Sequence, residues 1–512
     1  MKNISRRDFL KAAMAVSATS LLSLSPALRG LKAAGDKPNI IILVFDAMSA
    51  CNLSVYGYPR NTTPGLERIA ERAMVYHSHY SAGNFTTSGT ASMLTGLYPW
   101  THRGINLGGM VNQKFVDHNI FTLMKDEYYC TAFTQNYLAD VLLGQFQSGI
   151  DRHIATPSFY EELNRPLLGQ YFPRDPVAAY YGLDDYLFSG GIDRVGSVPS
   201  VPIFGFLNGL AHKGQNFYRP LPDYPYGLPY NSSYSYENSV AFAGVRDEIL
   251  NLASQQSPFL SYFHMYSPHE PYTPRKEFVD IFPEIEFPRK KATKFSTLDI
   301  PYESIVSRRK TYDEYVANVD FEIEKLVNAL EDSGVLKNSY LILTADHGEL
   351  FERGEYGHVT QLLYDAVVHI PLLVLAPGQK DRRDIYHSTS NIDLLPTLLH
   401  IGGKKSLAGL EGKVLPGLGG NEDARSLFSM EAKKCSSFGD LVNGATVSMV
   451  KGEHKLIYYT GYPKRPDTFE LYNLKDDMNE MKDLYLLDTV TASQMKEELL
   501  DNFEENRKIT QF

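Results

Sequence analysis

Four stretches of the chain are nearly unbroken apolar runs: residues 38–45 (Pro-Asn-Ile-Ile-Ile-Leu-Val-Phe), 259–265, 340–344 and 372–376. None alternates with polar positions, which predicts strands buried on both faces, as in a parallel sheet. Between them apolar positions recur at helical spacing. Leu66, Ile69, Ala70 and Ala73 fall on one face after Thr63-Pro64, predicting a helix with Thr63 as its cap. A second helix is predicted over 311–334, from Tyr312 through Val316, Val319, Ile323, Leu326, Val327 and Leu330, stopped by Gly334. Strands alternating with helices predict an α/β fold: a doubly wound, mostly parallel sheet with helices on both faces. Ligands of such a sheet sit outside the carboxyl ends of its strands.

Two regions depart from this rhythm. Residues 150–240 are crowded with Tyr and Pro, and Tyr218-Arg-Pro-Leu-Pro-Asp-Tyr-Pro-Tyr-Gly-Leu-Pro-Tyr230 suits neither a regular helix nor a central strand. This insertion reads either as an aromatic wall for a sugar or lipid head group or as a cover packed by its own rings. After about residue 420 the segments Glu453–Tyr459 and Glu470–Leu474 alternate, predicting a small C-terminal antiparallel subdomain with one helix. The organisation expected is a signal over 1–34, a catalytic domain over 38–420 and a small α+β subdomain over 421–512.

Composition narrows the class. The chain has 512 residues, 43% hydrophobic and 21% charged, enough for a full core and unlike a disordered chain. A formal net charge of -10 argues against a nucleic-acid partner. Three cysteines, Cys51, Cys130 and Cys435, exclude a disulfide scaffold and a cysteine zinc site. Ser5-Arg-Arg-Asp-Phe-Leu-Lys11 and the weakly apolar Ala12–Leu28 have the pattern of a twin-arginine export signal, with cleavage expected near Ala33–Ala34. The partners expected are therefore the twin-arginine export machinery and no permanent membrane span, with a periplasmic or extracellular destination.

Candidate chemistry clusters at predicted strand ends. Asp46 follows the first buried run, and Asp346-His347 follows the third. Each is weak alone; together they offer hard oxygens and an imidazole to one cation. A third element, Asn84-Phe-Thr86-Thr-Ser-Gly-Thr, leads into a short helix closed by Gly96, whose free N–H groups favour an anionic oxygen. A hydroxyl at that point is placed as a nucleophile. Thr87 is the rival to Thr86. His264, on an apolar strand, reads equally as a core histidine or a ligand. His102 reads as structural, Asp393 as a helix cap and Cys51 as inert.

These elements resemble the sulfatase branch of the alkaline phosphatase superfamily. The resemblance rests on Phe45-Asp46, Tyr56-Gly-Tyr58, Asn61-Thr-Thr-Pro64, Leu94-Thr-Gly-Leu-Tyr-Pro99, Pro268-His-Glu-Pro-Tyr272, Thr344-Ala-Asp-His-Gly-Glu349, Gly357-His358, Tyr364-Asp365 and Asn391-Ile-Asp-Leu-Leu-Pro-Thr397. Sulfatases of this kind carry Cys/Ser-x-Pro-x-Arg, oxidised to formylglycine, thirteen residues before the Pro of Gly-x-Tyr-Pro; here that position is Thr86, and the Pro and Arg are missing. Phe133-Thr-Gln-Asn136 stands where the family places Gly-Lys-Trp-His. Threonine at this place resembles the phosphotransferase and phosphodiesterase relatives, in which a metal-bound Thr forms a phosphothreonine.

The resemblance implies an exported, metal-dependent ester hydrolase or transferase acting on a phosphoester through Thr86. The substrate expected is a small-molecule, lipid head-group or glycan ester. His269 and His358 are expected to act on the phosphoryl oxygens or the leaving group. One principal divalent ion is expected on Asp46, Thr86, Asp346 and His347, with Mn²⁺, Zn²⁺ or Mg²⁺ suiting the mixed ligands better than Ca²⁺. His264, His269 and His358 leave room for a second metal. The alternatives are a sulfuric ester hydrolase without formylglycine and an inactive glycan-binding member.

Overall fold

The computed structural model describes residues 37–159, 220–433 and 444–508, apart from positions 232–234, 256, 291, 292, 294 and 297. The twin-arginine stretch, the body of the 150–240 insertion and Cys435 lie outside the described residues.

Eight strands form the main sheet: β1 (Asn39–Phe45), β2 (Met74–Tyr76), β3 (Tyr129–Thr134), β4 (Arg152–Ile154), β5 (Phe259–Met265), β6 (Ser339–Ala345), β7 (Leu372–Leu375) and β8 (Arg383–Ile385). Their spatial order is β8-β2-β7-β6-β1-β5-β3-β4. β1 is central, parallel to β5 on one side and β6 on the other. The apolar runs behave as patterned: Ile41, Leu43 and Phe45 join one core, while Ile40, Ile42 and Val44 join the core on the opposite face. Each such side chain contributes roughly 1.5–3 kcal/mol by leaving water. One expectation is corrected. β7 runs antiparallel to both β6 and β2. The segment between β6 and β7 is a hairpin and a short helix, with no long crossover helix to return the chain in parallel.

Helices α1 (Pro64–Ala70), α2 (Thr86–Thr95), α3 (Tyr137–Gln145), α4 (Asn238–Ser254), α5 (Tyr302–Asp332) and α6 (Leu394–Ile401) surround this sheet. α1, α4 and α5 contribute Leu66, Val245 and Val319 to one core; α2 and α6 contribute Leu94 and Leu398 to the other. α5 ends as predicted, before Gly334 at φ 80°, but starts earlier, at Tyr302, and its first turns add Ile305 to the core. Thr63 stands at the N-cap position of α1, as predicted, but its side chain makes no cap hydrogen bond. Its hydroxyl pairs with Ser54 Oγ, and Asp320 of α5 accepts from the Gly65 and Leu66 N–H groups at 2.7 and 2.8 Å.

The tail forms the predicted antiparallel sheet: β9 (Leu427–Glu431), β10 (Ala445–Lys451), β11 (His454–Thr460) and β12 (Thr468–Asn473), in that order. Helix α7 (Thr489–Lys508) packs on it through Met495, Leu499 and Phe503, against a cluster that includes Trp100 and Phe428. Among the described residues no helix is long and apolar enough to cross a membrane.

Candidate active site at the carboxyl edge of the sheet

β1 and β6 end side by side, so Asp46 and Asp346 leave the sheet together, and Ala47 N–H donates to Asp346 Oδ1 at 3.3 Å. β5 flanks β1 with His264 opposite Val44, which brings a third polar group to the same place. All three are fully buried. His264 Nε2 lies 3.7 Å from Asp46 Oδ2 and 3.6 Å from Asp346 Oδ2. His347 Nε2 lies 3.3 Å from Asp46 Oδ1 and 3.5 Å from Asp346 Oδ2. Both rings are oriented from behind: His347 Nδ1 donates to the Gly348 carbonyl at 2.9 Å, and His264 Nδ1 pairs with the Tyr262 hydroxyl at 3.0 Å. Asp46 Oδ1, Asp346 Oδ2 and His264 Nε2 are buried with no hydrogen-bond partner. Buried acceptors without donors, converging within 4.8 Å of one another, are what a cation would complete. The donor set therefore fits a divalent ion.

The electrostatics are mutual. Burial works against the Asp46 carboxylate, yet His269, His264 and His347 together hold it well below its ordinary value. Burial and the neighbouring Asp46 push Asp346 up. Burial opposes charge on His347, but Asp346 and Asp46 override it and push the ring up to about 9. The chain turns out of β1 through Ala47 at φ 59°, a left-handed conformation, and Tyr312 of α5 fixes the turn by donating to the Ala47 carbonyl at 2.7 Å.

Thr86 is the first residue of α2. Its Oγ1 lies 3.4 Å from His347 Nε2 and accepts from Asn136 Nδ2 at 3.1 Å. Asn136 caps α3 through its Oδ1, which accepts from Leu138 N–H at 2.7 Å, so its Nδ2 is aimed into the site. The same Nδ2 donates to Asp46 Oδ2 at 2.5 Å. No side chain caps α2, and its first N–H groups open toward this place. Gly89 lets α2 lie against the end of β6, where a Cβ would collide with the Asp346 carbonyl.

His358 follows the hairpin formed by Leu350–Glu352 and Glu355–Gly357. Its ring centroid lies 4.3 Å from that of His347 and 4.7 Å from that of His269. Its Nδ1 pairs with Glu349 Oε2 at 2.9 Å, and Tyr272 donates to Glu349 Oε1, also at 2.9 Å. His269 Nδ1 donates to the Glu270 carbonyl at 2.6 Å. Burial lowers the pKa of both rings, and His347 lowers that of His358 further. Buried Lys433, reaching in from beyond β9, bonds Asn84 Oδ1 at 2.7 Å and the Thr360 carbonyl at 3.1 Å, and burial lowers its pKa to about 8.

The sulfatase family profile matches residues 38–404, and the profile of the N-sulphoglucosamine sulphohydrolase C-terminal region matches 354–508. This chain belongs to the sulfatase family. Its N-terminus matches the twin-arginine translocation signal over residues 3–23, which marks the protein for export. Among curated relatives it is similar to human N-acetylglucosamine-6-sulfatase, 26% identical over 403 residues, 73% of this chain and 62% of that protein. Bovine arylsulfatase A is 24% identical over 88% of this chain and 80% of its own length. The match thus spans less than two thirds of the human relative. Among solved structures, a phosphonate monoester hydrolase from Silicibacter pomeroyi superposes with a TM-score of 0.64 at 19% identity, covering 92% of this chain and 96% of its own. The BT4656 structure in complex with D-glucosamine-2-N,6-O-disulfate gives 0.64 at 17% identity, covering 93% and 99%. The shared fold is the alkaline-phosphatase-like sulfatase fold.

Within this sulfatase fold Asp46, Thr86, His269, Asp346, His347 and His358 form one contiguous cluster. His264 joins the acidic pair rather than filling the core. Thr87 Oγ1 is buried without a partner, and no bond ties it to the cluster. His102 lies apart, pairing with Ser92 Oγ at 2.9 Å. Asp393 accepts from Ser390 N–H at 2.8 Å in a capping box. Cys51 is pushed up to about 12 by burial, and its Sγ lies 4.0 Å from His369 Nδ1, apart from the cluster. Asn136, Glu349 and Tyr272 stand at the ends of motifs quoted above, but sequence reasoning gave them no role in the site, and Lys433 had no signal of its own.

Proposed function

We propose that this exported sulfatase-family protein is a metal-dependent hydrolase of phosphoric esters that works through a covalent phosphothreonine at Thr86. The observation that carries the reading is the Thr86 hydroxyl, held between His347 and Asn136 beside the open oxygens of Asp46 and Asp346. The formylglycine motif is missing at that position, and threonine cannot be oxidised to formylglycine. Asp46, His264 and Asp346, with His347 and Thr86 at their margin, would hold one divalent ion; mixed O/N donors suit Mn²⁺ or Zn²⁺. A bound cation lowers the pKa of a neighbouring hydroxyl and offsets charge on a phosphoryl oxygen.

The protein's own groups do the rest. Asn136 orients Thr86 Oγ1 for in-line attack on phosphorus; the hydroxyl gives up its proton to water, the Oγ1–P bond forms, and the P–O bond to the departing alcohol breaks as that oxygen takes up a proton. The opening N–H groups of α2 receive the developing charge. The Nδ1 of His269 and of His358 is committed to an oxygen, so each ring presents Nε2. An arriving anionic ester raises the pKa of both rings, making them N–H donors to the phosphoryl and leaving oxygens. Water then attacks phosphorus and Thr86 Oγ1 departs. Glu349, gripped by Tyr272, keeps His358 in one tautomer.

The named activities of the curated relatives, which are sulfatases, favour a second reading: hydrolysis of a sulfuric ester by the same residues. Parallel rates on bis-p-nitrophenyl phosphate and p-nitrophenyl sulfate, with and without chelator, separate the two. The proposal expects the phosphate ester to be faster and both rates to vanish with chelator. A faster sulfate ester would install the second reading, and chelator-resistant turnover would remove the metal.

A further inference from the structure

A cavity of about 520 Å³ is walled by Phe351 and the turn of the 350–357 hairpin, the start of α5 and the segment after Phe287. None of the candidate site residues lines it. Arg308 pairs with Glu270, the neighbour of His269, at 3.2 Å, while the adjacent Arg309 faces the cavity.

Cations outnumber acids around this space. Arg289, Lys290, Arg309 and Arg353 border it, against Glu352 and the exposed Asp299. Lys290 at 2.6 Å, Arg353 at 3.2 Å and Arg309 at 4.0 Å all converge on the single Glu352 carboxylate. Arg309 gives one Nη2 hydrogen to the Phe351 carbonyl at 2.8 Å, and its buried Nε–H has no acceptor. Arg309 therefore keeps guanidinium charge and N–H capacity that the protein's own acceptors do not use up. Two of the cations are also pre-positioned. Arg309 lies over the Phe287 ring at 4.5 Å and Arg289 over the Tyr302 ring at 4.9 Å, so little side-chain freedom remains to be lost on binding.

We propose that this cavity binds a small organic oxyanion of monosaccharide size, its phosphate, sulfate or carboxylate group resting between the Arg309 and Arg289 guanidinium groups. The volume falls within the range of ordinary small-molecule sites. The assignment does not depend on the role of Thr86.

Calorimetric titration of the full chain at low ionic strength tests it, with glucose 6-phosphate, glucose 6-sulfate, glucuronate and glucose as probes. The expected result is binding of at least one charged sugar and none of glucose. That binding should weaken by about tenfold in Arg309→Gln and in Arg289→Ala, and persist in His269→Ala. Because Arg289 is exposed, its variant decides the matter if Arg309→Gln does not fold. Binding untouched by Arg289→Ala, binding lost in His269→Ala, or glucose binding as tightly as the charged sugars would each overturn the proposal. The charged sugar that binds most tightly identifies the oxyanion.

Discussion

Two clusters of buried carboxylates divide the molecule by purpose. Where the C-terminal sheet meets the main body, Asp365 and Glu480 face a fully buried lysine, Lys455, at 2.6 and 2.9 Å. At the carboxyl edge of the main sheet, Asp46 and Asp346 face imidazoles instead, and each keeps a buried oxygen without a donor. The first cluster carries its own positive charge and holds the two parts of the chain together. The second is under-compensated in a dry interior, a condition that persists where something else is meant to bind. Burial of charge alone does not mark a site; buried acids that face imidazoles, with no lysine or arginine beside them, do.

The largest expected effect separates the clusters by removing one acid from the second. Asp346→Asn should abolish cation-dependent turnover. In chelator the same change should raise the melting temperature, because burial and Asp46 make the ionised Asp346 carboxylate costly. A lower melting temperature in chelator would mean that this acid serves the fold. Next, Lys455→Met should cost about 3–5 kcal/mol in urea unfolding, since it leaves Asp365 and Glu480 buried without their cation. A loss under about 1 kcal/mol would erase the contrast.

The third effect is a pH window. In the cation-free protein, protonated His347 contributes stability fully below its ordinary value of 6.5, and the contribution disappears as pH rises through about 9. Cation uptake competes for the same place as that proton. Affinity should therefore climb between these two values, with up to about one proton released per cation. Calorimetry in buffers of different ionisation heat measures the release, and pH-independent affinity would place His347 beyond the cation's reach. The smallest effect is expected from Thr87→Val. Its hydroxyl bonds nothing in the site, and kcat should stay within about twofold of the parent. A collapse of kcat would transfer the nucleophile to Thr87.

Strand ends were legible because an acid directly after a continuous apolar run has only one place to go. Asp46 and Asp346 were found that way, and the oxygen-rich pocket with them. His264 was not settled, because its neighbours Phe263 and Met265 are core residues. Only the placement of β5 beside β1 shows that its ring meets the acids, and spatial strand order is not written in a single run. The direction of β7 was hidden for a similar reason: four apolar residues read the same in either sense. Glu349 and Tyr272 meet across 77 positions of sequence, and no local pattern predicts such a pair. Lys433 enters from the edge of the other sheet, so its arrival depends on how the two units pack.

The central claim is that the Thr86 hydroxyl becomes covalently bonded to phosphorus. High-resolution mass spectrometry after rapid acid quenching of the protein with bis-p-nitrophenyl phosphate tests it most directly. The result expected is one p-nitrophenyl-phosphoryl group on the peptide holding Thr86, left after a single p-nitrophenolate departs, absent from Thr86→Ala, which should keep its fold and its cation. A sulfuryl adduct formed only with sulfate esters, an adduct on another residue, or steady turnover by Thr86→Ala would contradict it.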